Sequence, residues 1–169
     1  QCATGSGEQF IYLWGKAGLG KSHLLQACCQ WAVQHDKTSF YLSLDPAGLP
    51  DPAILDGLDE FNLVCIDNID NLAGNTRWEH AFFALFNRQR DRNNRLVVAS
   101  AVSAKDVAIA LPDLKTRLSW GLALKLQVPD EAERLALLSY KAQRLGFDIS
   151  PQVGQFLLCL LYTSPSPRD

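Results

Sequence analysis

The sequence predicts an α/β domain with three layers, in which helices cover both faces of a mainly parallel sheet. Five short apolar runs, typical of buried strands, alternate along the chain with stretches of helical periodicity. A glycine-rich segment, Gly15–Ser22, lies directly between the first apolar run and the first helical stretch. The 169 residues are 47% apolar and 20% charged, which is enough for one such core and part of a second domain.

The predicted strands are short, and two of them end at positions that suit a ligand site. The first stops at Gly15, and the third ends directly in Asp67. The five predicted strands are Gln9–Trp14, Ser39–Leu44, Phe61–Ile66, Arg95–Ala99 and Ala123–Val128.

Four stretches between or after these strands carry apolar residues at helical spacing. The last of them begins at the start signal Pro129–Asp130 and ends at Gly146. The predicted helices are Lys21–His35, Ala53–Leu58, Trp78–Asn87 and Asp130–Leu145.

The charge and cysteine content narrows the class of protein. A formal net charge of -2 gives no electrostatic reason to expect nonspecific binding to nucleic acid. A basic cluster, Arg88 to Arg95, surrounds Asp91 and is typical of a solvated helix end. The apolar runs are too short to span a membrane, and five cysteines without a CxxC pair favour reduced thiols in the cytoplasm.

The segment Gly15–Ser22 reads GKAGLGKS and fits the phosphate-binding pattern GxxxxGK[ST]. Its glycines let the loop turn backbone N–H groups towards phosphate oxygens at the start of the following helix. Lys21 is expected to reach the β- and γ-phosphates, and Ser22 to ligate Mg²⁺. The predicted contacts to ADP or ATP are made by Gly15, Lys16, Ala17, Gly18, Leu19, Gly20, Lys21, Ser22 and His23.

An acid ends the third strand, in the stretch FNLVCIDN that closes at Asn68. Ligands gather at the carboxyl ends of parallel strands, so Asp67 is predicted to hold Mg²⁺ or its water. Many P-loop ATPases carry a second acid at the next position, where it orients or deprotonates the attacking water. The amide of Asn68 cannot take a proton near neutral pH, so we expect weak hydrolysis unless Asp70 or another acid substitutes. Alternatively, Asn68 only caps the next turn.

Three stretches resemble the AAA+ domain of the bacterial replication initiators of the DnaA family. They are IYLWGKAGLGKSHLL at 11–25, LVCIDNID at 63–70 and LPDLKTRLSWG at 111–121. The second and third favour the shorter Hda-type regulators, which have the AAA+ part without the DNA-binding domain. The resemblance runs from about Glu8 to Leu158.

This resemblance implies a P-loop NTPase (AAA+) fold with sheet order 5-1-4-3-2 and a small helical lid. It also implies that Arg117 is an arginine finger, which inserts into the nucleotide site of a neighbouring subunit. We therefore expect a nucleotide-binding domain at 1–128 and the start of a truncated lid at 129–158. Residues 159–169 match one reading frame of a common transposase sequencing adapter, with a natural Ser/Pro tail as the alternative.

Hda-type proteins are ADP-bound adapters that promote ATP hydrolysis by the DnaA initiator and so negatively regulate the initiation of DNA replication. A short N-terminal peptide, expected before Gln1, tethers them to the DNA-loaded sliding clamp of DNA polymerase. The resemblance therefore implies the initiator and the clamp as partners. It implies neither sequence-specific DNA binding nor a membrane, and it leaves a homo-oligomer open.

The sequence departs from the family at the sensor position after the fourth strand. Ala101 stands where relatives carry an aspartate, and the lid arginine that contacts nucleotide would lie beyond Leu158. The alternative function is an AAA+ ATPase of the initiator or helicase-loader type, which hydrolyses its own ATP and engages DNA. An acid at residue 68 would have favoured that alternative.

Overall fold

The computed structural model describes residues 9–128, 130–146, 148, 150, 152 and 153. The chain divides into two compact units, Gln1–Gln127 and Val128–Asp169. The expected lid at 129–158 stays a prediction, and the adapter-like tail at 159–169 lies outside the described residues.

Five parallel strands form one sheet in the first unit, in the order β2-β3-β4-β1-β5. This is the expected order 5-1-4-3-2 read from the other edge, so the predicted fold class is confirmed. Neighbouring parallel strands need long crossover connections, which the helices and loops between them provide. The strands are β1 Phe10–Trp14, β2 Ser39–Ser43, β3 Leu63–Asp67, β4 Arg95–Ser100 and β5 Leu122–Lys125.

Four α-helices are present among the described residues: α1 Lys21–Gln34, α2 Thr76–Asp91, α3 Pro112–Leu118 and α4 Glu131–Arg144. Three 3₁₀ turns lie between α1 and α2, at Pro52–Leu55, Leu58–Glu60 and Ile69–Leu72. Within the described part of the chain, no helix has both the length and the apolar character needed to cross a membrane.

The side chains of each strand alternate between the two faces of the sheet and so build two core layers. On one face, Tyr12 and Val98 belong to the same buried cluster as Phe82 of α2. On the other face, Leu13 clusters with Leu25 of α1. The first layer also takes in the buried residues of α3, so α1 covers one face while α2 and α3 lie on the other.

Two of the differences from the prediction in the first unit have a local cause. The helix expected at Ala53–Leu58 is wrong: two 3₁₀ turns take its place, because Gly57 between them has a φ of 81°, which interrupts a helix. Helix α2 begins two residues earlier than expected. The side chain of Asn75 caps it by accepting a hydrogen bond from the backbone N of Trp78 at 3.2 Å.

The described part of the second unit is dominated by α4, within the predicted range Asp130–Leu145. Its start is a capping box. Asp130 Oδ1 accepts a hydrogen bond from Glu133 N at 2.8 Å, and Glu133 Oε2 accepts one from Asp130 N at 2.9 Å. Two backbone donors at the helix N-terminus are satisfied in this way.

Candidate functional site

The predicted phosphate-binding loop, Gly15–Ser22, lies at the carboxyl end of β1 and leads directly into α1. Gly18 and Gly20 have φ values of 83° and 86°, which residues with a side chain rarely adopt. The loop is also fixed to the sheet, since Gly15 N donates to the carbonyl of Ser100 at 3.2 Å. The backbone conformation therefore depends on glycine at the positions that the sequence motif requires.

Lys21 is the first residue of α1 and is buried, with 8% of its surface exposed. Its ammonium group points back into the loop and donates to the carbonyl oxygens of Gly15 at 2.6 Å and Lys16 at 2.8 Å. By contrast Ser22 and His23 are exposed, as are Lys16 and most of the loop between them. The positive charge of Lys21 therefore lies inside a loop whose other residues are mostly exposed.

Asp67 is the last residue of β3 and is only 1% exposed. Its Oδ2 accepts hydrogen bonds from the hydroxyl of Ser22 and from the hydroxyl of Tyr41, the latter at 2.9 Å. Its Oδ1 accepts a third from the backbone N of Asn68 at 2.9 Å. The structure therefore brings together the two predicted metal ligands, Ser22 and Asp67, across the gap between the loop and β3.

Tyr41 is a site residue that the sequence reasoning missed. It lies on β2 in register with Cys65 of β3, two residues before Asp67 and therefore on the same face of the sheet. Burial raises the pKa of Tyr41, and its hydrogen bond to Asp67 raises it further. Tyr41 therefore stays a hydroxyl donor to Asp67 near neutral pH. Only the register of β2 against β3 could have revealed this contact.

Asn68 takes the N-cap position of the turn Ile69–Leu72, with a φ of 57°. Its side chain does not cap that turn. Instead, Nδ2 donates to Ser43 Oγ at 3.2 Å, so the amide bridges the ends of β2 and β3. Asp70, the acid expected as a substitute, has its Oδ1 accepting a hydrogen bond from the backbone N of Ala101 at 3.3 Å. Both side chains lie beside Asp67 in sequence, but each is engaged by a neighbouring loop or strand.

The sensor region after β4 is held by internal contacts. Ser100 is fully buried, and its hydroxyl accepts a hydrogen bond from the backbone N of Val102 at 3.1 Å. The carbonyl of Val102 in turn accepts one from Tyr12 at 2.8 Å. Burial raises the pKa of Tyr12 to about 12, and the charges of Asp70 and Asp106 act in the same direction.

Arg117 lies near the end of α3, on the opposite face of the sheet from α1. Its guanidinium carbon is 4.1 Å from the centre of the Trp120 ring and 5.8 Å from that of Phe83. The start of α3 is fixed by Glu79 of α2, whose carboxylate accepts hydrogen bonds from the backbone N of Ala110 and of Leu111. No contact of Arg117 with the phosphate-binding loop is found among the described residues.

Two carboxylates, those of Asp59 and Asp91, partly neutralise the basic cluster at the end of α2. Arg88 and Arg92 both form ion pairs with the buried carboxylate of Asp59, at 3.1 and 2.9 Å, and Arg90 pairs with Asp91.

The described residues contain no group of three or more His, Cys, Asp or Glu side chains that could hold a metal ion. A divalent cation at this site would therefore need ligand oxygens from phosphate or water beside Ser22 and Asp67.

Comparisons with known proteins agree with this fold. The family model of the bacterial DnaA ATPase domain matches residues 54–125. Protein NMB1076 from Neisseria meningitidis is 30% identical, with a TM-score of 0.55, over 71% of this chain and 76% of that one. These comparisons support a DnaA-like AAA+ domain.

Two structures of the initiator itself share the fold of this DnaA-like AAA+ domain. AMPPCP-bound DnaA from Aquifex aeolicus is 23% identical, with a TM-score of 0.76, over 91% of this chain and 51% of that one. A replication initiator DnaA bound to AMPPCP and single-stranded DNA is 22% identical, with the same TM-score and the same coverage. The DnaA-like AAA+ domain thus spans about half the length of these initiators.

Proposed function

We propose that this DnaA-like AAA+ domain binds ADP or ATP with Mg²⁺ on the loop Gly15–His23. The observation that supports the proposal is the convergence of three features at the carboxyl edge of the sheet: left-handed glycines, the Lys21 ammonium, and the Ser22–Asp67 pair. Lys21 can exchange its bonds to two loop carbonyls for charge-assisted bonds to phosphate oxygens. The loop N–H groups at the start of α1 would bind the same phosphates.

The residues around Asp67 suit Mg²⁺. This ion prefers oxygen ligands and is usually held by one or two protein oxygens, by phosphates and by several waters. Ser22 Oγ and Asp67 Oδ2 are adjacent oxygens of this kind. When bound, the ion would neutralise charge on the phosphates. Tyr41 and the backbone N of Asn68 orient the carboxylate for this role.

We further propose that the domain is a nucleotide-bound regulatory adapter of the Hda type, with ADP as its resident nucleotide. In this role it promotes ATP hydrolysis by the DnaA initiator at the sliding clamp, and so negatively regulates the initiation of replication in the cytoplasm. Asn68 supports an adapter, because its amide cannot act as a base and is already bonded to Ser43. Arg117 supports action in trans, because it lies on α3 away from the face that α1 covers.

A second candidate is an AAA+ ATPase of the initiator or helicase-loader type that hydrolyses its own ATP and engages DNA. It is favoured by the fold shared with a DnaA bound to AMPPCP and single-stranded DNA. Asp70, a half-buried acid two residues beyond Asn68, would have to serve as the base. The ion pairs of Arg88, Arg90 and Arg92 with two carboxylates weigh against DNA binding on that surface.

Phosphate release tests the two candidates. The protein from the native gene is mixed with ATP-bound DnaA and DNA-loaded clamp, and compared with its Arg117→Ala variant. An adapter accelerates release only in the mixture, and Arg117→Ala removes the acceleration, since a trans arginine contributes a factor of about 10³–10⁵ in rate. Arg90→Ala is the matched control, because Arg90 is an exposed arginine paired only with its neighbour Asp91. Sustained hydrolysis of ATP by the protein alone, without DnaA and clamp, would favour the second candidate.

A further inference from the structure

The guanidinium of Arg117 lies over the indole ring of Trp120. The distance from Arg117 Cζ to the ring centre is 4.1 Å, within the range of a cation–π contact. Arg117 lies in the last turn of α3 and Trp120 lies just after the helix, where its backbone N donates to the carbonyl of Arg117 at 3.0 Å. Phe83 of α2 lies 5.8 Å from the guanidinium carbon. Aromatic rings from two elements therefore hold one cation.

This arrangement restrains Arg117 without neutralising it. The ion pairs among the described residues do not include Arg117, and its buried Nη1 has no hydrogen-bond partner there. A carboxylate in the same place would orient the guanidinium but cancel its charge and occupy its donors. Aromatic rings leave the positive charge uncancelled and place no carboxylate on the N–H groups other than those of the buried Nη1.

The ring that carries Arg117 is itself fixed by the backbone. Trp120 is followed by Gly121, where a Cβ atom would lie 2.2 Å from the carbonyl oxygen of Phe10. The chain therefore passes tightly against the start of β1 immediately after the indole. On the other side, Leu114 and Leu118 are buried and anchor α3 in the core.

Core packing does not account for Trp120, because its side chain is 60% exposed. The indole lines an open groove of about 460 Å³ together with two cationic residues, Lys105 and Lys115. Among the described residues that line this groove there is no acid, so its charge suits an anionic group presented by a partner.

We propose that Trp120 is the positioning residue for Arg117. It holds the guanidinium in one orientation in the free protein, ready to meet a partner's phosphate anion. The inference rests on the proposed role of Arg117 as a finger acting in trans. Positioning matters because a misplacement of about 1 Å at a reacting centre can reduce the rate by about a hundredfold.

The first test measures the orientation directly, in the free native protein, by NMR. Side-chain protons of Arg117 over an indole face are shifted upfield by the ring current, and a restrained guanidinium gives a positive heteronuclear NOE at Nε. Trp120→Leu keeps apolar bulk without an aromatic face, and should remove both signals. Trp120→Phe should restore them in part. Random-coil shifts for Arg117 in the wild type would overturn the inference.

The second test measures the ATP hydrolysis that the protein stimulates on its partner, as a function of protein concentration. Trp120→Leu should lower the maximal rate by about tenfold and leave the half-saturating concentration unchanged, because orientation affects the transition state. Trp120→Phe should recover most of the rate. Thermal unfolding, followed by circular dichroism, verifies that both variants are folded.

The outcomes separate this inference from the proposed function. If the wild type stimulates hydrolysis, Arg117→Ala does not, and Trp120→Leu equals the wild type, the inference is wrong and the function stands. If Trp120→Leu raises only the half-saturating concentration, Trp120 contacts the partner and the positioning role is wrong. If the wild type does not stimulate at all, the proposed function fails, and the NMR measurement decides whether Trp120 restrains Arg117.

Discussion

The hydroxyl of Ser22, at the start of α1, donates a hydrogen bond to Oδ2 of Asp67, at the end of β3. This contact joins the loop Gly15–Ser22 to the acid that ends β3. Tyr41 of β2 donates to the same oxygen at 2.9 Å. Three elements that are far apart in sequence therefore meet at one buried carboxylate, where a divalent cation would find its protein ligands.

Asp67→Asn should weaken the Mg²⁺-dependent part of nucleotide binding. The amide has nearly the same shape, but it carries no charge and offers one acceptor oxygen where the carboxylate offers two. We expect at least about a tenfold loss of ADP affinity with Mg²⁺, equivalent to about 1.4 kcal/mol, and a much smaller change in EDTA. Isothermal titration calorimetry under both conditions measures the difference. Ser119→Ala, at an exposed serine far along the chain, is the control. An equal loss with and without Mg²⁺ would contradict the assignment.

Asn68→Asp should raise the intrinsic rate of ATP hydrolysis. A carboxylate at this position can accept a proton from water, and general-base catalysis contributes about two to four powers of ten in rate. The left-handed backbone at residue 68, with a φ of 57°, is one that aspartate tolerates nearly as well as asparagine. Single-turnover phosphate release from the protein alone is the measurement. If the rate does not change, the missing acid is not what limits hydrolysis.

The sequence alone predicted those parts of the site whose signals lie within a few consecutive residues. The pattern GxxxxGK[ST] placed the loop, and an apolar strand ending in an acid identified Asp67, because both signals lie within about ten residues. The alternation of predicted strands and helices along the chain then predicted the three layers of the domain. By contrast, Tyr41 reaches Asp67 only through the register between β2 and β3, which no local pattern encodes.

Other features could not be predicted because tertiary contacts decide them. Helix α3 has seven residues, which is too few for a clear helical period, and it is stabilised by Glu79 and by its own buried leucines. The predicted helix at Ala53–Leu58 was wrong because a single glycine, Gly57, adopts a left-handed conformation within it. The contact of Arg117 with Phe83 likewise depends on how α2 packs against α3.

Glu79→Gln should destabilise the segment that leads into α3. Burial by itself would raise the pKa of Glu79, but backbone N–H groups of Ala110, Gly74 and Leu111 together outweigh it and lower the pKa below 4.5. The carboxylate accepts all three, whereas glutamine has one acceptor oxygen and would leave a donor unpaired, at a cost of about 1–3 kcal/mol. Urea denaturation at pH 7 measures this loss.

The pH dependence of this difference follows from the sign of the shift. A lowered pKa means that the stabilising contribution of Glu79 is present above the unfolded pKa and is lost as the pH falls through the folded pKa. The stability difference between wild type and Glu79→Gln should therefore shrink below about pH 4.5. Glu60→Gln, the same substitution at an exposed glutamate, is the control. A difference that is constant down to pH 3 would contradict this account.

Tyr12 should make the protein less stable at high pH. Burial raises its pKa from 10.0 to about 12, so the contribution of the neutral hydroxyl is complete below pH 10 and is lost as the pH rises to 12. In that window the unfolding free energy should fall by about 1.4 kcal/mol per pH unit through this group. Tyr12→Phe should remove this part of the slope, whereas Tyr140→Phe, at an exposed tyrosine, should not. Equal slopes for wild type and Tyr12→Phe would contradict the prediction.

The most direct test of the central claim follows whose ATP is hydrolysed. DnaA is loaded with ATP labelled at the γ-phosphate, freed of unbound nucleotide, and mixed in a single turnover with the native ADP-bound protein on clamp-loaded DNA. We predict rapid release of labelled phosphate with the wild type and with Arg90→Ala, and release no faster than that of DnaA alone with Arg117→Ala. Equal release with Arg117→Ala and the wild type would contradict the claim that Arg117 acts on a partner's nucleotide.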